Sequence, residues 1–138
     1  MTKVRLFAGP MSLQIVDSVI EYSEKNNPIG LIPSRRQVED VGGYVNRWKT
    51  KEFAKYVKLK TKKVPLVRDH GGPNQGQILD DGLNSVRCDV ESGFDIIHVD
   101  PWKASQTIDE GVQKTIEIIK HCIDLSPSVM FEVGTEES

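Results

Sequence analysis

The segment Phe94-Asp95-Ile96-Ile97-His98-Val99-Asp100-Pro101 carries the clearest strand signal in the sequence. Its apolar residues follow one another with little alternation, which is typical of a strand buried on both faces of a parallel sheet. A long amphipathic stretch, residues 107–125, comes next, and a further apolar run occupies residues 129–133. A strand, a helix and a second strand in this order predict a βαβ unit with parallel strands.

The same alternation extends back to the N-terminus. Further apolar runs cover residues 4–8, 29–32 and 64–67, and helical stretches cover residues 12–26, 50–62 and 80–91. The clearest helix is 107–125, where an apolar stripe lies opposite charged residues, and such a stripe normally faces a core. Its members are Val112, Ile116, Ile119 and Ile123. The whole chain therefore reads β-α-β-α-β-α-β-α-β.

Length separates two architectures that fit this order. The chain has 138 residues, which suits one domain. A complete (β/α)8 barrel needs roughly 250 residues, and this chain holds about five βα units. We therefore interpret residues 1–138 as an α/β domain, the N-terminal portion of a TIM (β/α)8 barrel and a fragment of a longer chain. The alternative is a complete flavodoxin-like binding module with five strands.

Composition excludes several classes of protein. The formal net charge is −2, whereas a duplex nucleic-acid binder is usually basic. No run approaches the ~18 apolar residues of a membrane span. The two cysteines, Cys88 and Cys122, form no CxxC pair, so we expect no disulfide framework and a cytoplasmic setting.

Polar residues follow the predicted third and fourth strands, where ligands of parallel α/β proteins bind. Asp69 and His70 precede a glycine-rich loop that contains Asn74. An imidazole ligates divalent metals, and a neighbouring carboxylate transfers protons. His98 and Asp100 share one face of the fourth strand, with Asp100 at its tip and His98 deeper, at a position more typical of a core histidine.

Charged residues also mark the second and fifth strands. Glu132 lies inside an apolar strand, which is costly unless the carboxylate is paired or bound to metal. Glu136 follows as a further acid. Arg35 and Arg36 end the second strand, either as solvated cations or as a clamp for a phosphate, because the guanidinium fork matches phosphate oxygens.

Four motifs together resemble the class II, metal-dependent sugar-bisphosphate aldolases, and most of all the non-catalytic subunit of class II tagatose-bisphosphate aldolase. They are Gly42-Gly43-Tyr44, Asp69-His70 with Gly72-Pro73-Asn74, Ile97-His98-Val99-Asp100, and Val133-Gly134-Thr135-Glu136. The resemblance implies that Asp69 transfers the proton of the aldol step. It also implies that His70, Asp100 and Glu132 bind metal, and that Glu136 or Glu137 is the acid of the following loop. The predicted substrate-binding residues are Arg35, Arg36, Asn74, His98 and Glu136.

The function implied is cleavage of a phosphorylated ketose of the tagatose- or fructose-bisphosphate type. Zinc or another divalent metal polarises the ketose oxygens and stabilises the enediolate in such enzymes. The alternative is a non-enzymatic partner subunit that stabilises a separate class II aldolase. We expect this aldolase partner or a homo-oligomer, and neither a nucleic-acid nor a membrane partner.

Overall fold

The computed structural model describes residues 3–134. Within them, strands and helices alternate in the predicted order. The strands are β1 (Phe7–Ala8), β2 (Gly30–Leu31), β3 (Val67–Gly71), β4 (Ile96–Val99) and β5 (Met130–Val133). The helices are α1 (Leu13–Lys25), α2 (Thr50–Lys60), α3 (Leu83–Glu91) and α4 (Ile108–Leu125), with a short 3-10 turn, Trp102–Ala104, after β4.

All the strands pair in parallel, and they lie side by side in sequence order. β1 pairs with β2, and β4 lies between β3 and β5. Single parallel bridges, Leu31 with Leu66 and Ser34 with Asp69, join the β2 region to the β3 region. The predicted sequential order is therefore confirmed. The flavodoxin-like order is contradicted, because β2 rather than β1 lies beside β3.

The two faces of the sheet differ in chemistry. Leu31, Leu66 and Ile97 are fully buried and belong to one core with apolar residues of all four helices. Arg68 points to the same side, where it pairs with Asp89 of α3. Because strand residues alternate between faces, the polar residues next to Arg68 and Ile97 point away from the helices.

Local signals set the helix starts. Ser12 caps α1 as its position suggests, since the Ser12 hydroxyl accepts the Ile15 N–H at 3.3 Å. Thr50 is the first residue of α2 rather than its cap, and the Glu52 carboxylate accepts the Lys49 N–H at 3.3 Å. Within residues 3–134, no helix is both long and apolar enough to cross a bilayer.

The orientation of α4 differs from the sequence prediction. The helix buries Gly111, Thr115, Ile118 and Cys122, whereas the predicted stripe is largely exposed at the flank of that face. The cause lies at Gly111, where an added Cβ atom would approach the Trp102 ring to 2.1 Å. The helix therefore packs with Gly111 against the Trp102 ring and with Ile118 and Cys122 in the core. The expectation that the whole stripe faces the core was wrong, because only Ile119 of its members packs there.

Candidate functional site

A β-bulge at the end of β3 builds the centre of the site. Arg68 pairs with Ile97 and Gly71 pairs with Val99, so two residues of β3, Asp69 and His70, oppose the single residue His98. His70 has a φ of 48°, in the left-handed region that such irregularities use. In a regular strand Asp69 and His70 would face opposite sides of the sheet. The bulge lets both side chains reach His98.

Three groups that can bind a metal converge there. The Asp69 Oδ1 atom lies 3.5 Å from His70 Nε2 and 3.6 Å from His98 Nδ1. One potential ligand atom from each residue lies within 4.8 Å of the other two. The two imidazole rings tilt toward each other with their centroids 4.8 Å apart. We call Asp69, His70 and His98 the bulge cluster.

Asp100 lies behind the cluster and orients His70. Its Oδ2 atom is 2.7 Å from His70 Nδ1, and its Oδ1 atom accepts the Trp102 N–H at 3.1 Å. This contact through Nδ1 fixes the ring of His70 so that its Nε2 atom faces Asp69. Gly72 permits the arrangement, because a Cβ atom there would lie 2.5 Å from the Asp100 carbonyl oxygen.

The protonation of His98 is coupled to Asp69. The interaction with Asp69 raises the pKa of His98 against the opposing effect of burial, and the charges of Glu132 and Asp100 add to the rise. The same interaction with His98 lowers the pKa of Asp69. When deprotonated, His98 Nδ1 can accept the backbone N–H of His70, which is 3.4 Å away. His98 Nδ1 therefore contacts Asp69 when the imidazole is protonated and the His70 N–H when it is not.

The remaining predicted metal ligands occupy different positions. Asp100 is hydrogen-bonded to His70 and buried, so it supports a ligand rather than offering a free oxygen to the cluster. Glu132 is exposed and aligned with His98 in the strand register, and it lies outside the bulge cluster. His98, for which the sequence suggested a deeper place, joins the cluster because the bulge brings β3 to it.

Of the predicted substrate-binding residues, His98 belongs to the bulge cluster, whereas Arg35, Arg36 and Asn74 do not. Arg35 is buried, and its guanidinium group donates to Asp80 at 2.9 Å, to the Gly72 carbonyl oxygen at 2.7 Å and to Glu39. Asn74 exchanges two hydrogen bonds with Asp80, at 2.9 and 3.2 Å. These contacts hold the loop after β3 in place.

Arg36, in contrast to Arg35, is exposed to solvent. The structure therefore gives the adjacent arginines different environments, which their sequence did not distinguish. Arg35 is engaged within the protein, and Arg36 is the arginine of the pair that solvent reaches. Glu136 lies outside the described residues.

Comparisons with known proteins support the fold. No protein-family model matches the chain, and no curated protein matches it. A solved structure of a probable tagatose 6 phosphate kinase from Sinorhizobium meliloti 1021 superposes with a TM-score of 0.79 at 16% sequence identity. The match covers 99% of this chain and 40% of that protein, so this chain spans less than half of the neighbour's length.

Proposed function

We propose that the chain is part of a metal-dependent lyase that cleaves a phosphorylated ketose in carbohydrate metabolism. The observation that carries the proposal is the bulge cluster, in which a carboxylate and two imidazoles meet at the C-terminal ends of β3 and β4. That end of a parallel sheet is where α/β enzymes place their sites. The printed name of the structural neighbour, a probable sugar-phosphate enzyme, agrees with this substrate class.

The fold assigned to the proposal is the N-terminal portion of an aldolase-type TIM barrel. Such a portion requires parallel strands in sequential order with a helix between each strand and the next. The chain has five such strands, β1 to β5, and a helix follows each of the first four. The partial coverage of the neighbour supports a longer parent chain.

The bulge cluster fits a divalent metal such as zinc. Zinc takes histidine nitrogen and carboxylate oxygen, and three protein ligands suffice for a catalytic site. The Asp100–His70 pair is the support that metal-binding histidines usually have. We therefore assign His70, His98 and the Oδ1 atom of Asp69 as the metal ligands. Asp100 orients His70, and Glu132 lies outside the ligand set, exposed to solvent. When bound, such a metal supplies Lewis-acid polarisation of the ketose oxygens.

Asp69 is the group assigned to proton transfer, through its second carboxylate oxygen. Its lowered pKa keeps it ionised at neutral pH, so it can accept the proton of the substrate hydroxyl. The carbon that carries this hydroxyl becomes the aldehyde as its bond to the neighbouring carbon breaks. The electron pair of the broken bond stays on the ketone fragment. The proton then returns to that fragment's carbon, so atoms and charge balance.

An activity assay on the full parent protein tests this proposal. Ketose bisphosphates of both the tagatose and fructose type are offered with zinc, and aldehyde release is followed. Asp69→Asn keeps a carbonyl oxygen near the ligands but accepts no proton, so we expect the rate to fall by ~10²–10⁴-fold while zinc stays bound. The matched control, Asp124→Asn on α4, leaves the rate unchanged. Equal rates for Asp69→Asn and the wild type refute the role of Asp69.

A second candidate function is that of a non-enzymatic partner subunit. The exposure of Glu132 favours it, because an exposed residue at the strand ends suits a domain that another chain completes. This function predicts no cleavage by the protein alone and a higher rate or longer half-life of a companion class II aldolase. The same assay, run with and without the companion, distinguishes the two.

A further inference from the structure

The outer side of α4 carries a continuous apolar ridge. Four of its residues are well exposed: Ile108 by 76%, Val112 by 44%, Ile116 by 39% and Ile123 by 44%. Ile119 fills the gap between them and is partly buried. We call these five residues the α4 stripe. Single exposed apolar residues are ordinary, but a ridge along four turns of one helix marks an interaction surface.

Apart from Ile119, which also packs against the core, the stripe lies beside the surface with which α4 joins its own domain. Helix α4 contacts α3 and β4. The residues it buries, Gly111, Thr115, Ile118 and Cys122, lie about a quarter turn away from the stripe. The α4 stripe therefore needs no rearrangement of the domain in order to receive a partner.

Charge identifies a partner that fits. Asp109 and Lys120 are exposed on the solvent flank of the stripe, and neither forms an ion pair within the described chain. If a second α4 lies antiparallel, with a two-fold axis near residue 114, Asp109 of each copy meets Lys120 of the other. In this arrangement Val112 lies opposite Ile116, and Ile108 lies within one residue of the position opposite Ile119. A parallel arrangement brings like charges together.

We propose that a second copy of this chain docks on the α4 stripe, forming an antiparallel, two-fold symmetric helix pair. A two-fold interface requires one patch to be complementary to itself, and the stripe satisfies this in both apolar and charged residues. Ridges at i and i+4 spacing are those with which packed helices interlock. The proposal rests neither on the metal site nor on the lyase activity. In a longer barrel the next helix would lie on this flank of α4, so a longer parent chain that is monomeric would overturn the proposal.

Sedimentation equilibrium of the purified chain tests the proposal. We expect a dimer whose dissociation constant rises about a hundredfold or more in Ile116→Glu, because an unpaired carboxylate would be buried in the interface. The matched control is Leu59→Glu on α2, at a residue that is 76% exposed and outside the stripe. This control keeps the wild-type constant. Circular dichroism checks that both variants remain folded.

Charge exchange tests the register. Lys120→Asp and Asp109→Lys each weaken the dimer, by about tenfold, because each sets like charges opposite one another. The double variant, which carries both changes, restores the wild-type dissociation constant, because each reversed charge again meets its opposite. A wild-type chain that stays monomeric to ~1 mM overturns the proposal. A dimer that is insensitive to Ile116→Glu, or a double variant no tighter than the single ones, also overturns it.

Discussion

At the scale of residues, the site depends on how Asp69 is shared between two imidazoles. His70 is fixed by Asp100 on its far side, so its Nε2 atom faces Asp69. His98 has no comparable anchor on Nδ1, which faces Asp69 or the His70 N–H according to its protonation. In His98 the pKa is raised, and the contact with Asp69 is the largest cause of that rise.

We predict that Asp69→Asn lowers the pKa of His98 from its raised value, because the largest cause of the rise is removed. The interaction of protonated His98 with Asp69 stabilises the fold. Its contribution to the free energy of unfolding is fully present at pH values below the ordinary histidine pKa, and it is lost as the pH rises through the raised pKa. Asp69→Asn should flatten that part of the stability profile. Imidazole NMR titration measures the shift, with Asp124→Asn as the control. An unchanged His98 pKa would show that the two groups are not coupled.

At the scale of elements, β3 is anchored by the residue before the bulge. Arg68 and Asp89 are both fully buried and form a two-point ion pair, at 2.7 and 2.9 Å, between β3 and α3. Arg68 also donates to the Pro33 carbonyl oxygen at 3.1 Å. One buried side chain thus ties β3 to its helix and to the chain after β2, which fixes the strand that carries Asp69 and His70.

We predict that Asp89→Ala destabilises the fold by about 3–5 kcal/mol, because it leaves a buried guanidinium without its carboxylate. The control is Glu91→Ala on the same helix, which breaks the exposed pair with Arg87. That change should cost about 1 kcal/mol or less. Denaturant unfolding followed by circular dichroism gives both values. Similar losses in the two variants would mean that the Arg68–Asp89 pair does not anchor β3.

The order of the elements could be predicted from the sequence, but two features of their placement could not. Apolar runs and helical periodicity are local signals, and they located the strands and helices. The bulge that brings Asp69 and His70 together opposite His98 depends on pairing between β3 and β4, for which Gly71-Gly72 is the available hint. The docked face of α4 depends on the contact of Gly111 with Trp102, which a hydrophobic period does not detect.

At the scale of the whole molecule, metal binding at the bulge cluster should stabilise the fold. A ligand that binds only the folded chain adds about 2.7 kcal/mol at a hundred times its dissociation constant. We expect zinc to raise the unfolding midpoint of the wild type and of His121→Ala, but not that of His70→Ala. An equal rise in His70→Ala would place the zinc elsewhere in the chain.

Zinc titration, followed by the imidazole nitrogen signals of the three histidines, shows whether the bulge cluster binds metal. His121 lies on α4, outside the bulge cluster, and serves as the internal control. We expect the His70 Nε2 and His98 Nδ1 signals to shift together and to saturate at one zinc per chain, while those of His121 stay unchanged. A zinc site at the bulge cluster is refuted if His70 and His98 do not respond, or if His121 responds equally.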